Sequence, residues 1–377
     1  MATTDKRITK KIENSYVVWF EESNRWIQFE EPAYFIYNLN SENIDIQEII
    51  IKCQKRYGLS EKKCNNFVSE IISTIKDFST LEKQPVSDND KLKIPVGSKF
   101  NTFKKHTYLI KGHIVEIDFE TSLLGYYIHP VLAHLEIKNS NTPDIKFEIF
   151  NYENRLVLRN KNVSLSHFAA EDINQLKRKL YVNISNFIYN KQENDWMTFI
   201  HASAITDGDS SILLSSSSGG GKSTLAALLI DQGLQFVSDD FVAVAGKRAY
   251  PFPAAISVKE GSFSLFPENK LIELNYHGLK NSSVRFIYPD LSRKYWYNAK
   301  PVEKIVFVRY NPQSTLKFKE LTVLSALGRY YEEARVTAKH ENARKFIDWF
   351  SKLKCYELEY SENTDAVNCI RKLFKNI

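Results

Sequence analysis

Ser216, Ser217, Ser218, Gly219, Gly220, Gly221, Lys222, Ser223 and Thr224 gather more potential chemistry than any other stretch of the chain. The apolar run Ser211-Ile212-Leu213-Leu214 leads into them, and Leu225-Ala226-Ala227-Leu228-Leu229-Ile230 follows. The order reads strand, glycine-rich turn, helix, which is the setting a phosphate-binding loop needs. Glycines let the backbone curl until several N–H groups point at one anion, and a helix N-terminus adds its positive dipole end. Ser217 to Thr224 would then line a nucleotide's phosphates. Lys222 would reach the terminal ones, and the Ser223 hydroxyl would take a place on Mg²⁺. The pattern G-x-x-x-x-G-K-[ST] is met except at its first position, which is Ser216. Ser is small and the later glycines are kept, so the stretch reads as a tolerated variant. A plain Gly/Ser linker would not run straight into Lys-Ser-Thr and an apolar helix.

A second strand-like run, Gly233-Leu234-Gln235-Phe236-Val237-Ser238, ends in Asp239 and Asp240. In a parallel sheet the C-terminal ends of strands share one edge, so both carboxylates are expected to face the loop. One acid can hold Mg²⁺ and the other can accept the proton of an attacking hydroxyl, with either assignment open. Upstream, Trp196 to Ile205 reads as one buried strand carrying His201 just past its most apolar part.

The elements that must position these residues follow from the rest of the chain. At 377 residues there is room for more than one core. Twenty-four Phe and twenty Tyr against two Met point to sheet. The net charge of +6 is thinly spread, which fits an anionic ligand without singling out nucleic acid, and no nucleic-acid motif is present. The four cysteines, 53, 64, 355 and 369, form no CxxC pair and read as reduced core residues. The polar N-terminus and the lack of an 18-residue apolar run predict a cytoplasmic protein with no membrane partner.

Residues 1–12 are polar and expected to be loose. Ser15 to Phe20 and Arg25 to Phe29 read as a hairpin. Glu30-Glu31-Pro32 opens a first helix, Asp45 caps a second that ends at Tyr57-Gly58, and Ser60 caps a third. Residues 81–99 are rich in Ser, Pro, Asp and Lys and read as a linker. Strand-like alternations fill 100 to about 160, and 171–190 reads as a helix. His129 and His134 lack a third metal ligand at a telling spacing and read as solvated or structural.

Two resemblances carry these readings further. Residues 14–80, with the tryptophan-bearing hairpin, the Glu31-Pro32-Ala33-Tyr34-Phe35-Ile36-Tyr37 helix start and the Tyr57-Gly58 helix end, resemble the PqqD-like family. That family's small winged-helix domains bind leader segments of ribosomally made peptides. The resemblance implies that an extended leader adds a strand beside the hairpin, against the last helix. A DNA-binding winged helix or a dimerisation module is the other reading of the same elements. The third helix mixes Lys62, Lys63 and Lys76 with Glu61, Glu70 and Asp77 and lacks a base-reading cluster.

His201-Ala202-Ser203-Ala204, Ser218 to Thr224, Ser238-Asp239-Asp240 and Tyr250-Pro251-Phe252-Pro253 resemble the HPr kinase/phosphorylase family, more closely its stand-alone kinase-like relatives. The strand-like Lys304 to Tyr310 and Cys355 to Tyr360 extend the resemblance over residues 100–377. It implies an α/β fold with a P-loop kinase core of the HPr kinase and phosphoenolpyruvate carboxykinase type. It further implies ATP and Mg²⁺ as cofactors, and Lys222, His201, Asp239 and Asp240 as the catalytic set. The implied metal contacts are Ser223, Asp239 and Asp240. The family's metal-binding glutamate would fall near Lys259-Glu260, although the surrounding Ile-Arg-Gly is missing here. Glu260 as a metal contact and Lys259 as a phosphate contact both stay open. Arg309 reads equally as a phosphoryl contact or a surface arginine.

The expected organisation is a recognition domain over 1–80, a linker over 81–99 and a kinase domain over 100–377 whose β-rich part spans 100–190. The expected function is transfer of the ATP γ-phosphoryl group to a Ser or Thr hydroxyl of a ribosomally made precursor peptide held by its leader. A kinase for a small hydroxylated metabolite and a nucleotide-gated peptide chaperone are the alternatives, and a homo-oligomer is compatible with all three.

Overall fold

The computed structural model describes residues 7–79, 101–138, 142–160, 164–292, 296–336 and 339–374, without the side chains of 164 and 332–335. The expected linker lies outside the described residues. The protein is mixed α/β and divides into two compact units. One holds the described residues of Met1–Asp88, Thr322–Glu332 and Val336–Lys352; the other holds those of Asn89–Leu321, Glu333–Arg335 and Leu353–Ile377. No described helix is long and apolar enough to cross a membrane.

In the first unit the strands Arg7–Ile12, Ser15–Phe20 and Arg25–Glu30 form an antiparallel sheet in sequence order. The segment expected to be loose is therefore a strand from Arg7 onward, with Ile8 and Ile12 buried. Helices Glu31–Ser41, Ile46–Tyr57 and Glu61–Ser79 follow. Asp45 caps the second by accepting the Gln47 N–H at 2.9 Å, and Gly58 ends it in the left-handed region at φ 64°.

The central strand is apolar on both faces, because Val17, Val18, Trp19 and Phe20 are all buried. Such a strand needs a cover on each side. Val18, Phe20 and Phe29 pack with Tyr37 of the first helix and Ile75 of the third. On the other face Trp19 lies opposite Trp26. Trp26 stacks on Tyr331 at 5.9 Å between ring centroids and meets Phe346 at 5.5 Å. These two residues belong to the helices Val323–Glu333 and His340–Phe350. The described residues of 322–332 and 336–352, expected with the 100–377 segment, thus fold with the N-terminal sheet, whose second apolar face they cover.

Among its described residues the second unit contains two large sheets and two small two-stranded ones, one of which pairs Ile256–Lys259 with Val284–Ile287. Lys104–Ile110, His113–Phe119, Ile145–Tyr152, Arg155–Asn160 and Ser164–Ala169 make a five-stranded sheet in sequence order. Helices Ser122–Leu132 and Ile173–Ile188 join this sheet in one apolar core that also takes in Trp196, Phe241 and Phe252. The β-rich segment is therefore fused to the strands that carry the acids. In the other large sheet Ser211–Ser215 lies between Ser203–Thr206, antiparallel, and Lys300–Tyr310, parallel. Gln235–Ser238 pairs outside Ser203–Thr206, and Lys354–Tyr360 runs parallel to Lys300–Tyr310. Helices Lys222–Asp231 and Asn363–Arg371 pack their apolar residues against these strands. All four cysteines are free, and 53, 64 and 355 are buried.

Candidate functional site

The Ser211–Ser215 strand is buried along its whole length, so the chain leaves the sheet centre at Ser216 and enters the Lys222–Asp231 helix after one tight loop. Gly221 stands at the helix start with φ 97°, in the region that favours glycine. A Cβ there would lie 2.9 Å from Tyr360 Oη and 3.2 Å from Tyr310 Cβ. The loop is tied down from the neighbouring strand, whose Tyr310 N–H donates to the Gly220 carbonyl at 3.0 Å. A Cβ on Gly220 would lie only 2.8 Å from Ser216 Cβ. The serine at the position where the usual pattern has glycine thus occupies space that Gly220 leaves open. The N-cap residue is Gly221, which has no side chain to cap the helix start.

Gln235–Ser238 is antiparallel to Ser203–Thr206, which is antiparallel to Ser211–Ser215. The first and last of these strands therefore run the same way, and the acids emerge at the edge where the loop sits. Asp239 is buried, 3% exposed. Its Oδ1 accepts from the Ser203 hydroxyl and, at 3.0 Å, from the Ser223 hydroxyl, while Oδ2 is buried without a hydrogen-bond partner. Asp240 has φ 60°, a strained position that Asp tolerates better than most residues. Its Oδ1 takes the Lys222 ammonium and, at 3.2 Å, His201 Nε2.

The two acids are held in opposite protonation tendencies. Burial, and then the Asp240 charge, push the Asp239 carboxyl up to about 6 against the pull of Lys222, Ser203 and Ser223. Burial also acts on Asp240, but the bonds from His201 and Lys222 outweigh it and hold that carboxyl well below the usual range. His201 reaches the pair because Trp196–Ile205 is not one strand. It breaks into Thr198–Ile200, paired with Val242–Ala245, and Ser203–Thr206, paired with Ser211–Ser215. His201 stands at the crossing between them.

The remaining sequence candidates divide. Lys259 Nζ approaches Ser218 Oγ at 3.5 Å, and Thr224 Oγ1 donates to Ser262 Oγ at 3.0 Å, so the segment after Pro253 does lie against the loop. Glu260 is exposed, and its backbone N–H bonds the Ser283 carbonyl; its carboxylate is outside the hydrogen-bonded cluster of Asp239 and Asp240. Arg309 is also outside it, exposed and 3.8 Å from Glu359 in an ion pair.

Two residues at the site carry no local sequence signal. Lys177, on the Ile173–Ile188 helix, feels both Asp239 and Asp240, although burial still lowers its pKa. One turn on, Tyr181 has a buried hydroxyl without a hydrogen-bond partner, and the Asp240 charge adds to burial in raising its pKa. Within the sequence both look like the flank of the Leu176, Leu180, Ile184 stripe.

The donor set fits a divalent cation of the Mg²⁺ type: a buried carboxylate with one oxygen unpartnered, beside a serine hydroxyl at a helix N-terminus.

No family model matches the sequence, and no curated protein matches it. Among solved structures, the Hpr(Ser) kinase/phosphatase from Coxiella burnetii aligns with 46% of this chain and 95% of its own, at 12% identity and a TM-score of 0.23. That likeness is distant, and the reading of the site rests on the residues themselves.

Proposed function

We propose that the chain is an ATP- and Mg²⁺-dependent kinase that phosphorylates a Ser or Thr hydroxyl of a ribosomally made peptide. One observation carries the reading. Ser223 bonded to Asp239, and Lys222 and His201 bonded to the adjacent Asp240, form two adjoining hydrogen-bonded sets at the mouth of a glycine loop and a helix start whose N-cap is Gly221. Binding of a nucleotide alone requires neither a second carboxylate nor a histidine, which favours chemistry over a chaperone role.

The loop N–H groups and Lys222 bind the phosphates. Ser223 and Asp239 would hold Mg²⁺, which when bound supplies positive charge against the phosphate oxygens. The Lys222 ammonium now rests on Asp240. On moving to phosphate oxygens it removes the strongest cation from that carboxylate, whose basicity rises. Asp240, with its side chain 46% exposed, is then the group a substrate hydroxyl can touch. The hydroxyl oxygen forms a bond to the γ-phosphorus, the bond to the bridging β,γ-oxygen breaks, and the hydroxyl proton passes to an Asp240 oxygen. His201 Nε2 orients that carboxylate. Lys177 supplies a further positive charge beside the acids.

The N-terminal unit is the proposed leader-binding module. Support comes from Arg25–Glu30, which among the described residues pairs on one side only and so offers an edge for strand addition. A tethered leader raises the effective concentration of the reacting residue.

The test is mass spectrometry of a candidate precursor peptide incubated with ATP and Mg²⁺. Gain of one phosphate, lost in Lys222→Ala and Asp239→Asn and slowed when the leader is removed, is the expected result. Tight leader binding without a mass change would overturn the kinase reading in favour of a chaperone. Phosphorylation of a small hydroxylated metabolite instead would overturn the peptide assignment.

A further inference from the structure

We propose that His106, His129 and Glu136 form a binding site for one divalent transition-metal ion of the zinc class, in the β-rich part of the second unit. Among the described residues this is the group of His, Cys, Asp and Glu side chains gathered closely enough for the task, one ligand atom from each lying within 4.8 Å of the others.

The fold brings the three together from different elements. Along the Lys104–Ile110 strand His106, Tyr108 and Ile110 point into the core with period two. His129 comes from the Ser122–Leu132 helix, and Glu136 follows the short helical turn after it. The two imidazoles are 5% and 8% exposed and stack with centroids 4.0 Å apart. His106 Nδ1 is 2.6 Å from one Glu136 oxygen, and His129 Nε2 is 4.0 Å from the other. No hydrogen bond bridges 4.0 Å, whereas two metal–ligand bonds of about 2.0–2.1 Å at a tetrahedral angle hold their ligand atoms roughly 3.4 Å apart, so a bound ion would draw His129 Nε2 towards Glu136 and take the place of the His106–Glu136 hydrogen bond.

The far nitrogens of both rings are held as ligating histidines require. His106 Nε2 meets the Tyr276 hydroxyl at 2.9 Å, and His129 Nδ1 meets the Tyr108 hydroxyl at 3.0 Å. With those nitrogens protonated and donating to the phenols, Nδ1 of His106 and Nε2 of His129 keep their lone pairs, and both stand on the side of Glu136. Tyr276 reaches His106 only because residue 125 is glycine, since a Cβ there would lie 2.1 Å from Tyr276 Oη. Two imidazole nitrogens and one carboxylate oxygen favour zinc over Mg²⁺ or Ca²⁺. The Glu136 side chain, 40% exposed, leaves the fourth position open to water.

The experiment titrates chelator-stripped, full-length protein with ZnCl₂ by calorimetry and with CoCl₂ by visible absorption. One ion per chain and cobalt ligand-field bands are expected. Tyr276→Phe should weaken binding by about 10–100-fold, the usual effect of removing a hydrogen bond behind a ligating histidine. Glu136→Gln, in a half-exposed side chain that the fold can spare, should weaken it at least as much. Asp239→Asn, in the other cluster, should leave zinc binding unchanged. Circular dichroism checks that each variant folds. Absence of binding to the folded wild-type protein would overturn the proposal, and so would binding that survives both Glu136→Gln and Tyr276→Phe.

Discussion

Replacing Gly221 by alanine tests the loop geometry most directly. Two costs add. A non-glycine residue at φ 97° loses about 1–3 kcal/mol to backbone strain. The new methyl would also sit 2.9 Å from Tyr360 Oη and 3.2 Å from Tyr310 Cβ, an overpacking cost of about 1–3 kcal/mol. A loop faced with about 2–6 kcal/mol relaxes away from this conformation, and a ligand that needs the conformation must restore it. At about 1.4 kcal/mol per tenfold, the lower bound is a 30-fold loss of affinity. Calorimetry with a non-hydrolysable ATP analogue and Mg²⁺ measures it, and thermal melting reports the fold separately. Gly219→Ala is the internal control, because φ is 85° but nothing lies within 4 Å of the added Cβ. It should show the strain cost alone. Tyr360→Phe, combined with Gly221→Ala, removes the hydroxyl and leaves the ring carbon Cζ at 3.8 Å, so part of the loss should return. If Gly221→Ala binds no more weakly than Gly219→Ala, or if Tyr360→Phe restores nothing, the close-approach reasoning is refuted.

Three further outcomes follow from the same residues. Asp239 is raised to about 6 by burial, so its charge is disfavoured in the fold above that pH and the penalty disappears as pH falls towards the unfolded value. In urea titrations without nucleotide or metal, wild type should gain up to about 3 kcal/mol on Asp239→Asn between pH 8 and pH 4, and parallel pH curves would exclude the shift. Lys177→Met should lower kcat/KM by about tenfold, about 1.4 kcal/mol, from the loss of a positive charge that acts on Asp239 and Asp240, with Lys177→Arg recovering part. Unchanged kinetics would remove Lys177 from the site. Trp26→Ala, which deletes the ring between Tyr331 and Phe346, should destabilise the first unit by about 3 kcal/mol in chemical denaturation. A loss below about 1 kcal/mol would mean that the helices bearing Tyr331 and Phe346 contribute little to covering that face.

What the sequence determined by itself is local. The strand, glycine turn and helix around Lys222 are legible because each depends on neighbours within a few residues. The Asp45 cap and the Gly58 stop are legible for the same reason. The acids could be placed at the loop edge from strand order, although an antiparallel strand stands between the two that carry them. Tertiary structure decided the rest. The double-faced apolar strand Val17–Phe20 announced that a second cover was needed, but nothing local said that the helices bearing Tyr331 and Phe346 supply it. Lys177 and Tyr181 gained meaning only when their helix packed beside Asp240. Lys259, rather than Glu260, meets the loop because Lys259 is the last residue of the strand Ile256–Lys259, whose register is set by pairing with Val284–Ile287, and the chain turns into a short helical segment at Glu260. His106, His129 and Glu136 converge from a strand, a helix and a turn. Their spacing in the chain carries no ligand pattern, because long-range packing, not sequence proximity, sets the distances between them.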